Sequence, residues 1–364
     1  MAAQAFLFHT DGETQADYNN TNNIFTTPSE HEMKLWREKG PLGKLHNNVV
    51  YIQRSTQRIQ EFLSLSGNKH LSRDNSTRWN SWYKMISSAI PLSDAIDIFF
   101  HRRPESTLDK LQPEDWTHLQ KMQDFLVFFN DATISSEGRT DTLECVLPTM
   151  DFLLECFEEW KKKHASDPFI GPCCNAGWKK LEKYYALTDR SPAYIAAMVL
   201  CPAQKWQYIE EQWDENWLVD CQKKMRTFWE KEYKSTATLD LHVAASETPS
   251  TGNRFQQWEQ SKQCRRPQLP SLDEYDRYCQ SSILPEVKDA RAWWLEPTQQ
   301  KTYPNLYRMA LDILSIPAMS AEPERLFSSC KISITDRRNQ LGIESIEAIE
   351  CLKSWFRSGV AWVD

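Results

Sequence analysis

The chain has 364 residues, more than one ordinary hydrophobic core organises, so two structural units or one large helical body are expected. Hydrophobic residues make up 40%, yet no window approaches the roughly 18 uninterrupted apolar residues of a membrane span, and the opening MAAQAFLFHTDGE lacks a basic leader. A net charge of −7 excludes a globally basic nucleic-acid binder, while short clusters such as KKK at 161–163 or DRR at 336–338 read as solvated faces that could still touch phosphate.

A soluble protein that stays inside the cell is therefore expected. Its ten cysteines form no C-x-x-C pair and read as reduced, mostly buried thiols. Fifteen tryptophans call for a large core or for surfaces that stack on a partner.

Taken in chain order, residues 9–30 are polar and without period, as in a loop or arm. Two helices follow, separated at Gly40 and Pro41, and the second carries Leu45, Val49, Ile52, Ile59 and Phe62 on one stripe. Asp74, Asn75 or Ser76 can cap a helix whose stripe is Trp79, Tyr83, Ile86 and Ile90, ended by Pro91. Ser93 can cap the next, which buries Ile96 and Phe99 or Phe100. Two helices are expected over 113–165 and two more over 175–202. Trp206, Ile209, Trp213, Trp217, Met225 and Trp229 then fall on one long or kinked amphipathic helix. Residues 234–267 mix Ser, Thr and Pro and read as a linker. Beyond them, Leu306, Met309, Ala310, Ile313 and Leu314 follow helical spacing between Pro304 and Pro317. Alternating strand patterns are nearly absent, so the body reads as all-α.

Three stretches could carry chemistry. In SAEPERLFSSCKI, Ser320 is a plausible N-cap and Glu324 projects near a positive helix end; taken bare, Glu324 and Arg325 are a solvated or salt-bridged pair. In STRWNSWYKMI, Arg78 beside Trp79 could grip a phosphate and stack on an unpaired base, although a tryptophan in a helical core is the commoner reading. In GIESIEAIECLKSWFRSG, Ile346, Ala348, Ile349, Leu352, Trp355 and Phe356 fill about half the circumference, with Glu344, Glu347, Glu350, Lys353 and Arg357 on the rest. So wide an arc is either wedged within the chain or meets a second subunit.

In this order, GPLGKLHNNVVYI, STRWNSWYKMI, GWKKLEKYYALTDRSPAYIAAMVLCP, KWQYIEEQWDENWL, DEYDRYC and the block from YPNLYRMALDILSIPAMSAEPERLFSS to AIECLKSWF resemble the hAT superfamily of DNA transposases, in particular its fungal branch. They cover most of the chain, and the C-terminal block is the most specific. The resemblance implies an RNase H-like catalytic fold interrupted by an all-α insertion and closed by a helical dimerisation region. It also implies three metal-holding acidic residues, of which Glu324 matches the third, with Arg78 and Trp79 acting on DNA beside them. Ile346, Ile349, Leu352, Trp355 and Phe356 match the dimerisation region.

Family members carry the first two acidic residues before a C-x-x-H segment, and AAQAFLF corresponds to the stretch directly after that segment. The expectation is therefore that the BED-type finger, those two carboxylates and their strands are missing. Two Mg²⁺ ions flanking a phosphate need several oxygens, and one Glu supplies at most two. Asp11, Asp17 and Asp74, in an arm or at a cap, are poorly placed to substitute.

The expected fold is mainly α, a remnant of the RNase H-like fold lacking most of its sheet. Its segments would be a partly disordered remnant at 1–75, a helical insertion domain at 76–233, a linker at 234–270 and the dimerisation region at 271–364. Without their sheet, the first 70 residues are expected to fold poorly. The function implied is a transposase-derived homodimer in the nucleus, with residual DNA contact, no strand transfer, no membrane or small-molecule partner, and no cofactor unless supplied carboxylates brought Mg²⁺. A fragment of an active transposase and a helical protein-interaction scaffold are the alternatives.

Overall fold

The structure, a computed structural model, describes residues 1–8, 30–74, 79–103, 108–136, 142–234, 273–319 and 342–358, without the side chains of residues 30–32, 357 and 358. The chain divides into two compact units, one of residues 1–135 and 147–191, the other of 136–146 and 192–364. The borders set from the sequence at 75/76 and 233/234 fall inside the first and the second respectively. The expected arm at 9–30 and the linker at 234–267 lie almost wholly outside the described residues.

The first unit contains α1 (Ala2–Phe8), α2 (Glu30–Arg37), α3 (Pro41–Gln53), α4 (Thr56–Ser66), α5 (Trp79–Ala89), α6 (Ser93–His101), α7 (Pro113–Ser136), α8 (Val146–Lys163) and α9 (Ile170–Thr188). Residues 41–66 are two helices where the sequence pattern suggested one, because Ser55 turns extended between them. Helix ends leave carbonyls without partners. Here Arg58 Nη1 reaches back to the Tyr51 carbonyl at 3.2 Å while its guanidinium lies over the Tyr51 ring.

Helix α3 is buried on nearly every side, so its polar residues need internal partners. His46 Nδ1 lies 2.8 Å from Asp74, Asn47 donates to Asp109 at 2.7 Å, and Lys44 donates to Asp115 at 2.8 Å. Asp74, expected as a helix cap, is thus a buried partner of His46. In α5 the buried residues are Trp82, Met85, Ile86 and Ala89, a stripe rotated from the expected one; Trp79 and Tyr83 are half-buried. Trp82 decides that rotation by filling the space between Phe8 and Trp36, with ring centroids 5.1 and 5.4 Å away.

The opening segment also departs from expectation. Phe6 is fully buried, its ring 4.4 Å from Phe125 and 6.2 Å from Phe157. Helix α9 comes close at Gly177, where a Cβ would stand 2.4 Å from the Phe157 ring. Leu42, Leu45 and Val49 are likewise fully buried. Residues thought to need a sheet pack on helices of the same unit, so the described part of the first 70 is well packed. The start of α9 is fastened by Asp167, which accepts from the Phe169 and Ile170 amides and from Lys121. Burial opposes its charge, but these bonds together hold its carboxyl down to about 2.

The second unit contains α10 (Ala193–Leu200), α11 (Gln207–Gln212), α12 (Glu215–Phe228), a π-turn at Trp229–Tyr233, α13 (Glu274–Gln280), α14 (Ala290–Trp294), α15 (Pro297–Thr302), α16 (Pro304–Leu314) and α17 (Ile343–Ser358). The long or kinked helix expected over 206–229 is two helices, interrupted at Asp214, whose carboxylate caps α12 through the Asn216 amide. That break throws Trp217 out of the stripe, and it is exposed. In α16 all five expected residues are buried. Trp294 is buried too, donating from Nε1 to the Leu200 carbonyl at 2.8 Å.

Lys205 is almost completely buried, and burial pulls its ammonium below the ordinary value. Its Nζ donates to the Tyr278 and Ser281 carbonyls at 2.8 and 2.7 Å, to Ser281 Oγ at 2.7 Å and to the Ser282 carbonyl at 3.1 Å. No disulfide joins the described cysteines, and Cys156, Cys173, Cys174, Cys201 and Cys221 are buried. Burial pushes the Cys174 and Cys201 thiols up to about 12 and about 11, which leaves them unreactive. The extended pairing among the described residues is one bridge, Thr142 to Pro317. No described helix is long and apolar enough to cross a membrane.

Candidate dimerisation surface

The segment DEYDRYC, which opens α13, holds three carboxylates in four residues, and each binds a different element of the second unit. Asp273 accepts from Trp229 Nε1 at 2.7 Å. Asp276 takes both prongs of Arg226, and this pairing holds the guanidinium pKa above its ordinary value. Glu274 acts on α16, a helix that starts with proline and therefore presents its next amides to any acceptor. Its Oε2 accepts from the Asn305 and Leu306 amides at 2.9 and 3.0 Å, and its Oε1 from Asn305 Nδ2 at 2.8 Å. Glu274→Ala is expected to cost about 1–2 kcal/mol in urea unfolding of this unit, with Glu274→Gln losing less than half of that. Equal losses in the two variants would show that the carboxylate is not acting as the cap.

Helix α17 buries one carboxylate and exposes several large apolar side chains. Glu350, which its spacing assigns to the polar side, is buried at 7% exposure and accepts from Lys353 Nζ at 2.7 Å. Apolar and polar side chains alike lie in solvent elsewhere on the helix: Ile343 is 84% exposed, Leu352 45%, Trp355 49% and Phe356 45%, and Glu344 and Glu347 are exposed too. Ile346 and Ile349 are half-buried at the edge between the two sides. At 100° per residue, Leu352, Trp355, Phe356 and the exposed Ala348 share one face. A monomer rarely leaves neighbouring large apolar side chains uncovered, since burying each contributes about 1.5–3 kcal/mol.

The helices from α13 to α17 that carry this face, residues 274–356, match the model of the hAT family C-terminal dimerisation region, and residues 31–125 match that of the ZBED1 RNase-like helical domain. In these two regions the chain is similar to hAT-type, transposase-derived proteins.

Three relatives of these hAT-type proteins illustrate the likeness. The putative transcriptional regulator tpeD of Talaromyces stipitatus is 26% identical over 85% of this chain and 35% of its own length. The zinc finger BED domain-containing protein DAYSLEEPER of Arabidopsis thaliana is 25% identical over 82% of this chain and 42% of its own length. A putative AC transposase of Zea mays is 23% identical over 87% of this chain and 41% of its own length. The chain thus spans less than half the length of these relatives.

Of the site residues named from the sequence, Glu324 and Arg78 lie outside the described residues. Trp79 is half-buried at the start of α5, its ring 5.9 Å from Phe129 and 6.4 Å from Tyr83. The five residues expected to mediate dimerisation all lie on α17, three of them exposed. Sequence reasoning missed Glu350 and the acidic clamp of α13. The available signal for the clamp was three carboxylates in one turn without enough neighbouring bases to pair them locally.

Proposed function

We propose that these 364 residues act as a self-associating module of a transposase-derived protein, joined through Ile346, Ile349, Leu352, Trp355 and Phe356. The observation that carries this reading is the exposure of the large apolar residues Leu352, Trp355 and Phe356 on one face of α17. A second copy covering that face removes the cost of exposing it. Light scattering at tens of micromolar is expected to give twice the 42.7 kDa chain mass; a strict monomer would remove the proposal.

In this reading the module has no strand-transfer activity by itself. Glu324 offers at most two oxygens to metals that need several, so Mg²⁺ is not a resident cofactor of this set of residues. Arg78 and Trp79 would give weak DNA contact, and the setting would be nuclear, as suits the transcriptional regulator and transposase names among the relatives. The name of the maize relative also favours a second reading, in which these residues are the helical and dimerising part of an active enzyme. Magnesium-dependent joining of hairpin DNA by the 364 residues alone would select that second reading.

A further inference from the structure

We infer that Ser281 is a phosphorylation site, with the buried ammonium of Lys205 as the group that receives the phosphate. The observation behind it is a cation without a counter-charge. Lys205 is 3% exposed, and its Nζ is held by the Tyr278, Ser281 and Ser282 carbonyls, by Ser281 Oγ and by the Tyr278 ring, whose centre is 4.4 Å away. All of these are neutral groups. Among the described residues no carboxylate forms an ion pair with Nζ, and the titratable groups beside it, Tyr278 and Cys279, stay uncharged because burial raises both. Buried charges are ordinarily met by an opposite charge.

The backbone fixes the ammonium in this place. Lys205 takes a left-handed φ of 48°, uncommon for a residue with a side chain, and its amide donates to the Cys201 carbonyl at 2.9 Å. Ser281, by contrast, is exposed. It stands at the C-cap of α13 with extended backbone, and residues 281–289 form neither helix nor strand, so its hydroxyl is offered from irregular surface chain. Its Oγ accepts from Nζ at 2.7 Å and donates to the Tyr278 carbonyl at 2.7 Å. Ser282 is exposed too, but it offers Lys205 only its carbonyl, and this selects Ser281.

The reaction is phosphoryl transfer from ATP by a protein serine kinase. The bond from the γ-phosphorus of ATP to its bridging oxygen breaks, a bond to Ser281 Oγ forms, the hydroxyl proton passes to the kinase's base, and ADP leaves. The product gives Nζ a partner with a charge of about −1.5 to −2 and three acceptor oxygens. One of these oxygens replaces the longest of the present contacts, the Ser282 carbonyl at 3.1 Å. A helix C-terminus repels anions, but it carries about half an elementary charge, against a full charge on the ammonium. Attraction wins, and the phosphate fastens the end of α13 to Lys205.

The test uses the full chain. Incubation with ATP and purified protein serine kinases, followed by trypsin, should place phosphate on Ser281 within the 278–288 peptide. No phosphate there, or phosphate on Ser282 alone, would overturn the site. Phosphoserine is then installed at position 281 by amber suppression and followed by ³¹P NMR. Its second ionisation, at about 6 in an exposed phosphoserine, is expected to fall by about one pH unit or more, and the urea midpoint of the second unit to rise. Both changes should vanish in Lys205→Met; a shift that persists there, or no shift at all, would overturn Lys205 as the receiver. Phosphoserine at position 282 is the control that leaves Lys205 in place, and an equal shift from it would also overturn the assignment. Inorganic phosphate should leave the midpoint of the unmodified chain where chloride of equal ionic strength leaves it. A rise matching that of phosphoserine would assign the site to a free anion instead.

Discussion

Leu352→Asp is expected to convert the protein to a monomer, raising the dimer dissociation constant by about a thousandfold or more. In a pair joined through this face the variant removes the further burial of two half-exposed leucines, about 1 kcal/mol each, and puts two carboxylates where water is excluded. Together these exceed about 4 kcal/mol, and each 1.4 kcal/mol is a tenfold change. Leu352 is about half exposed in the single chain, so the fold should persist, with an unchanged far-ultraviolet circular dichroism spectrum. The matched control is Leu187→Asp, which changes an exposed leucine of the first unit and should leave association untouched. Sedimentation velocity across a concentration series distinguishes them. Dimerisation of Leu352→Asp at wild-type concentrations would mean that this face of α17 is not the contact.

Phe6→Ala should lower the stability of the first unit by about 3–5 kcal/mol, the range for emptying a buried aromatic site. Phe6 joins α1 to α7 and α8 through Phe125 and Phe157, and Gly177 brings the backbone of α9 against the same cluster. No nearby side chain is small and mobile enough to refill the space cheaply, since the neighbours are rings already in contact with one another, Phe125 and Phe157 at 4.8 Å. The measurement is the urea midpoint of the first unit. A loss under about 1 kcal/mol would show that α1 is dispensable. Limited proteolysis carries the same message: residues 30–74 share a core with α5 to α9 and should be cut no faster than residues 79–101.

Much of the helical pattern was legible in the sequence, because in each amphipathic helix the buried side chains recur with the backbone period. In α16, Leu306, Met309, Ala310, Ile313 and Leu314 were named from spacing alone and are all buried. Where spacing misled, a tertiary contact or a local cap outweighed it. The stripe of α5 turned because Trp82 fills a gap between Phe8 and Trp36, residues far from it in sequence. Of the long or kinked helix expected over 206–229, the interruption falls at Asp214 because its side chain caps the Asn216 amide.

By itself, then, the sequence determined that the chain is helical, which family it resembles and which residues of α17 are apolar, since composition, period and motif are local properties. Only the tertiary structure decided which side of α17 faces inward, that Asp74 is a partner of His46, and that Phe6 closes a core. Each of these depends on which distant residues share a neighbourhood. A carboxylate such as Glu350 is stable inside only where Lys353 or another donor meets it, and a stripe such as Leu352, Trp355 and Phe356 is left outside only when the rest of the unit has filled its core without it.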